Sequence, residues 1–443
     1  MNRDRMSGQR RATTKPPTDT DTATARTGPR PLPLHLMTHA STMMSSRAAL
    51  PLLKNGSLSW KPHLAEAAAS LSESLRSGGA DAFSQLEAAI ADEAARRHDS
   101  FLAGIDSYRH HRYRRLLTPP PSVWRQGTTS LLDYRLPETA ADALPVLVIP
   151  SLINRAYILD LSHKRSVLRY MAAKGLAPFL VDWDAPGPEE SGFTLTDYIA
   201  GRLEAMLDRV VALTGRKPAV VGYCMGGLLA LALAQRRPEA VASLVLLATP
   251  FDFVVGRESS AAMMRALKGP LGDMIDAVGS VPVDMLQAMF ASLDPGLAGR
   301  KFTAFARLPI RSARARDFVA LEDWANDGVP LAGPVARECL FGWYGDNDPA
   351  LGRWLIKDRP VFPEEVTVPT LLLIPHRDRI VPPTSALPLA ERIPGAKLMM
   401  LSGGHVGMLT GPRAKTEVYG PLVRWMQRRC RNTAVAPGVT EAV

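Results

Sequence analysis

Val220-Val221-Gly222-Tyr223-Cys224-Met225-Gly226-Gly227 decides the fold of this 443-residue chain. A β-branched run ends in glycine, one nucleophilic side chain follows, and two glycines open a stretch rich in leucine and alanine. The pattern predicts a buried strand that meets a helix through a G-x-C-x-G turn. Such a turn holds its nucleophile in a strained conformation, and glycine two residues before and after avoids clashing with it. Cys224 then stands at a helix N-terminus, where the macrodipole favours a thiolate. A buried core cysteine beside a close helix-strand contact fits the same residues, so its partners decide.

Working outward, short β-rich runs alternate with helical stretches at 128–136, 145–150, 177–183, 219–223, 244–248, 370–375 and 397–401. Runs such as Val146-Leu147-Val148-Ile149 and Leu371-Leu372-Leu373-Ile374 are apolar at every position, which suits parallel strands buried on both faces. A thiol needs a base, and the base needs an orienting acid. The run 370–375 leads into His376-Arg377-Asp378, and the run 397–401 leads into Ser402-Gly403-Gly404-His405. His376 and His163 compete with His405 as the base, but Gly403-Gly404 supplies the close approach an active-site loop requires. The chain order Cys224, Asp378, His405, each on a loop after a strand, is that of an α/β-hydrolase. In that fold the oxyanion is held by the amide after the nucleophile, here Met225, and by one from the loop after an earlier strand. Leu152 is the candidate by position, and Asn154 in the same loop is a candidate for positioning substrate.

The expected fold class is therefore α/β: a mostly parallel sheet flanked by helices, with a cap insertion and an N-terminal helical extension. Residues 1–60, rich in Thr, Pro, Arg and Ser, read as a disordered tail. Residues 61–121 read as a helical region of two helices split at Gly78-Gly79 and stopped by Pro119-Pro120-Pro121. The core is expected at 122–250 and 366–430, and the C-terminal tail at 431–443. Residues 251–365 are too long for a strand crossover and read as a cap over the site. Met263, Met264, Met274, Met285, Met289 and Phe290 supply adaptable apolar surface to its interior.

Composition narrows the classes. With 46% hydrophobic and 22% charged residues the chain is neither collagen-like nor wholly disordered. The apolar run 219–234 is glycine-broken and too short for a bilayer span. No transmembrane segment or secretory signal is expected, and the cytoplasm is the expected location. Three cysteines without metal-ligand spacing predict neither a disulfide framework nor a metal site. Of the net charge of +10, seven Lys/Arg and three Asp leave +4 in the first 30 residues and +6 in the remainder. The basic block Arg109, Arg112, Arg114 and Arg115 is a candidate anion site or a solvated face, and no nucleic-acid partner is expected.

At these residues the chain resembles the polyhydroxyalkanoate synthases, which carry a lipase-like box with Cys in place of Ser. The likeness covers about 145–426. It includes Pro150-Ser151-Leu152-Ile153-Asn154-Arg155-Ala156-Tyr157-Ile158-Leu159-Asp160-Leu161, then Asp182-Trp183, Asp197-Tyr198-Ile199, Trp324-Ala325-Asn326-Asp327 and Asp378-Arg379-Ile380-Val381-Pro382. Arg379 stands where the family usually has histidine. The resemblance implies Cys224, Asp378 and His405 as the triad of an acyltransferase. It implies polymerisation of 3-hydroxyacyl-coenzyme A through a Cys224 acyl thioester. No cofactor is expected beyond the coenzyme A thioester substrate. A polyester granule surface and a second copy of the chain are the expected partners. The same residues fit a thioesterase or polyester depolymerase if water reaches the acyl-enzyme. A non-catalytic scaffold on the granule is disfavoured because all three triad members are present.

Overall fold

Strands that are apolar at every position bury both faces. The computed structural model, which describes residues 26–429, sets such strands at the centre of an eight-stranded sheet. The eight are β1 (Ser122–Gln126), β2 (Thr129–Asp133), β3 (Pro145–Ile149), β4 (Ala177–Asp182), β5 (Ala219–Tyr223), β6 (Ser243–Leu247), β7 (Thr370–Pro375) and β8 (Lys397–Leu401). Their order is β1-β2-β4-β3-β5-β6-β7-β8. β1 and β2 form an antiparallel hairpin, β2 runs antiparallel to β4, and every later pairing is parallel. Val148 lies opposite Val221, Val221 opposite Val245, and Leu373 opposite Leu247. Side chains alternate between faces with period two. Leu147, Ile149, Val220 and Leu372 face one apolar cluster, and Val146, Val148, Val221 and Leu373 face the other.

The chain passes from β3 to β4 on one side and to β5 on the other. The loops after β3 and β5 therefore diverge at a topological switch point, where open α/β sheets form their ligand crevice. The loop 151–155 and the Cys224 turn flank this crevice.

The fold class matches the expectation, and the strands match it closely. β1 was not expected: it is an edge strand, half-exposed along its length, so Ser122-Val123-Trp124-Arg125-Gln126 carries no burial pattern. The tail needs correction. Residues 1–25 lie outside the described residues, as do Cys430 and the expected tail 431–443. The stretch 26–60, however, is not disordered but contains helix α1 (Leu32–Ala48) and a short helix at Leu50–Lys54. Proline in the first turn and the local run Leu32, Leu34, Leu36 start α1, a signal that the composition of all 60 residues conceals. The two expected helices are α2 (Ala65–Ser77) and α3 (Ala82–Arg109).

Nearly all of helix α4 (Met225–Arg236), which follows the Cys224 turn, is buried, as a helix apolar all round must be. The insertion between β6 and β7 holds helices α5 (Glu258–Ala266), α6 (Lys268–Val278), α7 (Val283–Ser292), α8 (Leu297–Ala306) and α9 (Ala313–Asn326). Met264, Met274, Met285 and Met289 pack in one cluster with the sheet's own residues, whereas Met263 is exposed. The cap and the sheet thus share a core.

α3 crosses α8 at Gly104, where a Cβ would stand 2.0 Å from the Phe302 carbonyl oxygen. Phe101, Ile105 and Tyr108 on α3 pack there with Phe302, Phe305 and Val319 of the cap. The basic block divides. Arg109, Arg112 and Arg114 are exposed, while Arg115 reaches the buried Asp160 carboxylate at 3.5 Å beside Arg169 at 2.8 Å. Arg115 is thus a structural cation, not part of an anion site.

Gly104→Ala must push α3 off α8, and overpacking of this kind costs about 1–3 kcal/mol. A lower urea midpoint, with protease cleavage appearing first within the N-terminal helices, is the expected result.

Candidate active site

The turn at Cys224 is built by three close approaches. A Cβ on Gly222 would lie 2.5 Å from the Gly226 carbonyl oxygen, one on Gly226 would lie 2.3 Å from that of Ile149, and one on Gly227 would lie 1.8 Å from Thr249 Oγ1. Within this frame Cys224 adopts φ 56° and ψ −129°. A non-glycine residue held so costs about 1–3 kcal/mol and persists only where its surroundings over-determine it. Its N–H donates to the Leu247 carbonyl and its carbonyl accepts from the Gly227 N–H, both at 2.9 Å. The side chain stands between β5 and α4 and is only half-buried.

Met225 opens α4, where first-turn amides have no acceptor within the helix. The Ile149 and Pro150 carbonyls rest on Gly226, so the loop 151–155 leaves β3 directly beside the turn. The two expected oxyanion donors, Met225 and Leu152, therefore lie on adjoining backbone, and both are buried in the same apolar cluster. Asn154 is placed against the cap. Its backbone bridges Gly328, and its Oδ1 is buried without a hydrogen-bond partner among the described residues.

Loops from the ends of β7 and β8 bring the other two residues in. The His376 N–H donates to Leu401 O at 2.7 Å, and the Arg377 N–H donates to Gly403 O at 3.1 Å. Both Asp378 oxygens are engaged. Oδ1 accepts from the Ile380 and Val381 amides at 2.9 and 2.8 Å, and Oδ2 accepts from His405 Nδ1–H at 2.6 Å. Asp378 and His405 are 4% and 8% exposed, so the pair is shielded from solvent. The competing His376 and His163 are exposed.

With Nδ1 committed to Asp378, Nε2 faces the Cys224 sulfur. Burial penalises the His405 imidazolium. The charge of the Cys224 sulfur, the hydrogen bond to Asp378 and that to Cys224 together outweigh burial and push the His405 pKa up to about 10. His405 is thus the group placed to take a proton from the Cys224 sulfur and to return it. Cys339 has the opposite setting. It is fully enclosed, and burial, reinforced by Glu338, pushes its thiol well up.

Sequence reasoning did not find Tyr223. Its ring lies 5.2 Å from the His405 ring, and its hydroxyl donates to the His405 carbonyl at 3.3 Å. Burial, then the nearby Cys224 and Asp378 charges, push its phenol well up, which keeps it a donor. The only sequence signal was its place immediately before the nucleophile. Among the described residues no group of three or more His, Cys, Asp or Glu side chains could hold a metal ion. No described helix is long and apolar enough to cross a membrane.

Fold, turn and chain order define a class, and sequence comparison agrees. Residues 145–412 match the alpha/beta hydrolase fold family, and the chain belongs to it. Residues 58–171 match the N-terminus of poly-beta-hydroxybutyrate polymerase (PhaC). Within the fold the chain is similar to the poly(3-hydroxyalkanoate) polymerase subunit PhaC of Allochromatium vinosum, 28% identical over 71% of this chain and 89% of the relative. The subunit of the same name from Synechocystis sp. is 28% identical over 70% of this chain and 85% of its own length. That of Cupriavidus necator is 28% identical over 67% of this chain, which spans 52% of that relative.

Removing the sulfur isolates its effect on the base. In Cys224→Ala the burial penalty remains and the negative neighbour is gone, so the His405 pKa must fall from about 10. Nitrogen-15 NMR of the imidazole reads the midpoint, and an unchanged value would show the two groups uncoupled. The sign for stability follows. The pair's contribution is fully present below the ordinary histidine value of 6.5 and is lost as pH rises through about 10.

Proposed function

We propose that this protein is an acyltransferase that polymerises 3-hydroxyacyl-coenzyme A through an acyl thioester on Cys224. The observation that carries the reading is a cysteine, not a serine, in the strained turn, paired with a buried His405–Asp378 couple in a chain similar to PhaC polymerases.

In the first half-reaction His405 takes the Cys224 proton, the thiolate so formed attacks the thioester carbonyl, and the Met225 and Leu152 amides receive the developing oxyanion. The carbon–sulfur bond to coenzyme A breaks, and the departing thiolate takes the proton from His405. In the second, the hydroxyl of another 3-hydroxyacyl group attacks the Cys224 thioester while His405 Nε2 accepts its proton. An ester bond forms and the Cys224 thiolate returns. Asp378 serves as the orienting group for His405. Its two oxygens are already occupied by His405 and by two backbone amides, which supports orientation over direct deprotonation of the hydroxyl. The chemistry uses no metal or redox cofactor. Cysteine suits it because the acyl-enzyme is itself a thioester, close in energy to the incoming one, so transfer to an alcohol stays favourable while water is excluded.

On this reading the enzyme works in the cytoplasm at a polyester granule surface, and a second copy of the chain is a further proposed partner. Met37 and Met44 on α1, and Trp60 and Leu64 just before α2, expose apolar surface, which supports contact with such a face.

Purified protein incubated with 3-hydroxybutyryl-coenzyme A should release thiol and accumulate polymer. Release of one free hydroxy acid per coenzyme A, with no oligomer, would assign the enzyme to the thioesterases or depolymerases instead. Cys224→Ala should abolish thiol release while Cys339→Ala and Cys430→Ala keep most of it. Asp378→Asn should retain more of the acylation burst than His405→Ala, and equal loss would contradict an orienting role.

A further inference from the structure

The loop 151–155, which carries Leu152, is bonded directly to the cap. Three successive residues are each bonded to the cap segment 324–329. The Ile153 carbonyl accepts from the Val329 N–H at 3.2 Å, Asn154 bridges Gly328 in antiparallel fashion, and the Arg155 carbonyl accepts from Trp324 Nε1–H at 2.8 Å. The Arg155 guanidinium lies between Asp184, at the end of β4, and Asp327 of the cap, the latter at 3.6 Å. From the sheet, Trp183 Nε1–H donates to the Pro150 carbonyl at 3.1 Å.

The cap segment is itself anchored from behind. The Tyr108 hydroxyl donates to Asp323 at 2.9 Å, and the Arg26 guanidinium clasps the same carboxylate at 2.5 and 2.7 Å while donating to the His111 and Tyr113 carbonyls. The Arg30 N–H donates to Asn326 Oδ1 at 2.9 Å. Between loop and cap, the cavity lined by Leu152, Trp183, Tyr198, Leu331, Ala332 and Val335 measures about 10 Å³, room for about one water. Loop and cap are thus closely packed here, and parting them requires the cap to move.

We propose that the segment 324–329 sets the oxyanion hole, with Trp324 as its principal positioning residue. Lifting the cap to admit substrate then withdraws the bonds that fix the Leu152 amide, and closing the cap restores them as water is shut out. The open state exposes the Cys224 thioester to water but lacks a formed hole. The closed state has the hole but no bulk water. The inference rests on the assignment of this loop to oxyanion stabilisation under the proposed function.

The test separates reactions that form an oxyanion from one that does not. Acylation of Cys224 by p-nitrophenyl butyrate passes through a tetrahedral oxyanion, whereas alkylation by iodoacetamide builds none. Trp324→Phe keeps the ring and removes the Nε1–H donor. The limiting acylation rate should fall at least about tenfold, as befits partial loss of one oxyanion donor. The ester concentration for half-maximal rate and the alkylation rate should both stay within about twofold. Asp327→Asn, at a half-exposed position that leaves folding intact, should reduce acylation by a smaller factor in the same pattern. Acylation at the wild-type rate in Trp324→Phe overturns the proposal, as does a proportional loss of acylation and alkylation, which marks a merely structural role. A wild-type enzyme that acylates on the ester yet builds no polymer from 3-hydroxybutyryl-coenzyme A overturns the polymerase reading alone.

Discussion

The site depends on one steric constraint: backbone must touch backbone at Gly226. With the Ile149 and Pro150 carbonyls against that α-carbon, β3 and α4 approach so closely that the chain between β5 and α4 must turn through Cys224 at positive φ. The same contact brings the loop after β3 beside the Met225 amide. A single methyl group here would push the Cys224 turn away from the loop after β3, because Gly222 and Gly227 leave the turn no slack on either side. The strain at Cys224 is sustained by the sheet, whose central strands are buried on both faces and cannot shift to relieve it.

That rigidity accounts for what was legible in the sequence. Strands buried on both faces must be apolar at every position, so β3, β5 and β7 announce themselves, and Cys224, Asp378 and His405 follow as the residues at the ends of β5, β7 and β8. Where burial is partial the signal fades. β1 is an edge strand whose side chains are mostly wet, and α1 has exposed Met37 and Met44 beside a buried His39, so neither carries a clean period. Tyr223 and Trp324 were invisible as positioning groups for a different reason. Each acts on a backbone carbonyl distant in sequence, and a carbonyl leaves no mark in a sequence of side chains.

Electrostatically, the three residues form a unit. A neutral histidine buried this deeply would ordinarily be harder to protonate, yet the sulfur on one side and the carboxylate on the other reverse the sign. The two amides on Asp378 Oδ1 hold the carboxylate oriented toward His405 Nδ1, which leaves Nε2 free to exchange a proton with Cys224. Under the proposed function the acid sets geometry, the sulfur attacks, and the histidine carries the proton between substrate atoms.

A triad of this kind does not choose between an alcohol and water; the surroundings must. Here the cap is bonded to both arms of the site. Its segment 324–329 grips the loop 151–155, and on the other arm Arg379, immediately after Asp378, pairs with Asp294 while its carbonyl accepts from Arg257 at 2.6 Å. Arginine at 379 thus reaches an acidic partner on the cap that a histidine, shorter and mostly uncharged at neutral pH, would hold less firmly. A cap so attached is more than a lid over a finished site. Under the proposed function, closure of a cap so attached fixes the oxyanion loop and the acid loop beside the cysteine while it excludes solvent. Those are the two conditions under which a thioester on Cys224 yields to a hydroxyl delivered from within the cap before water can reach it.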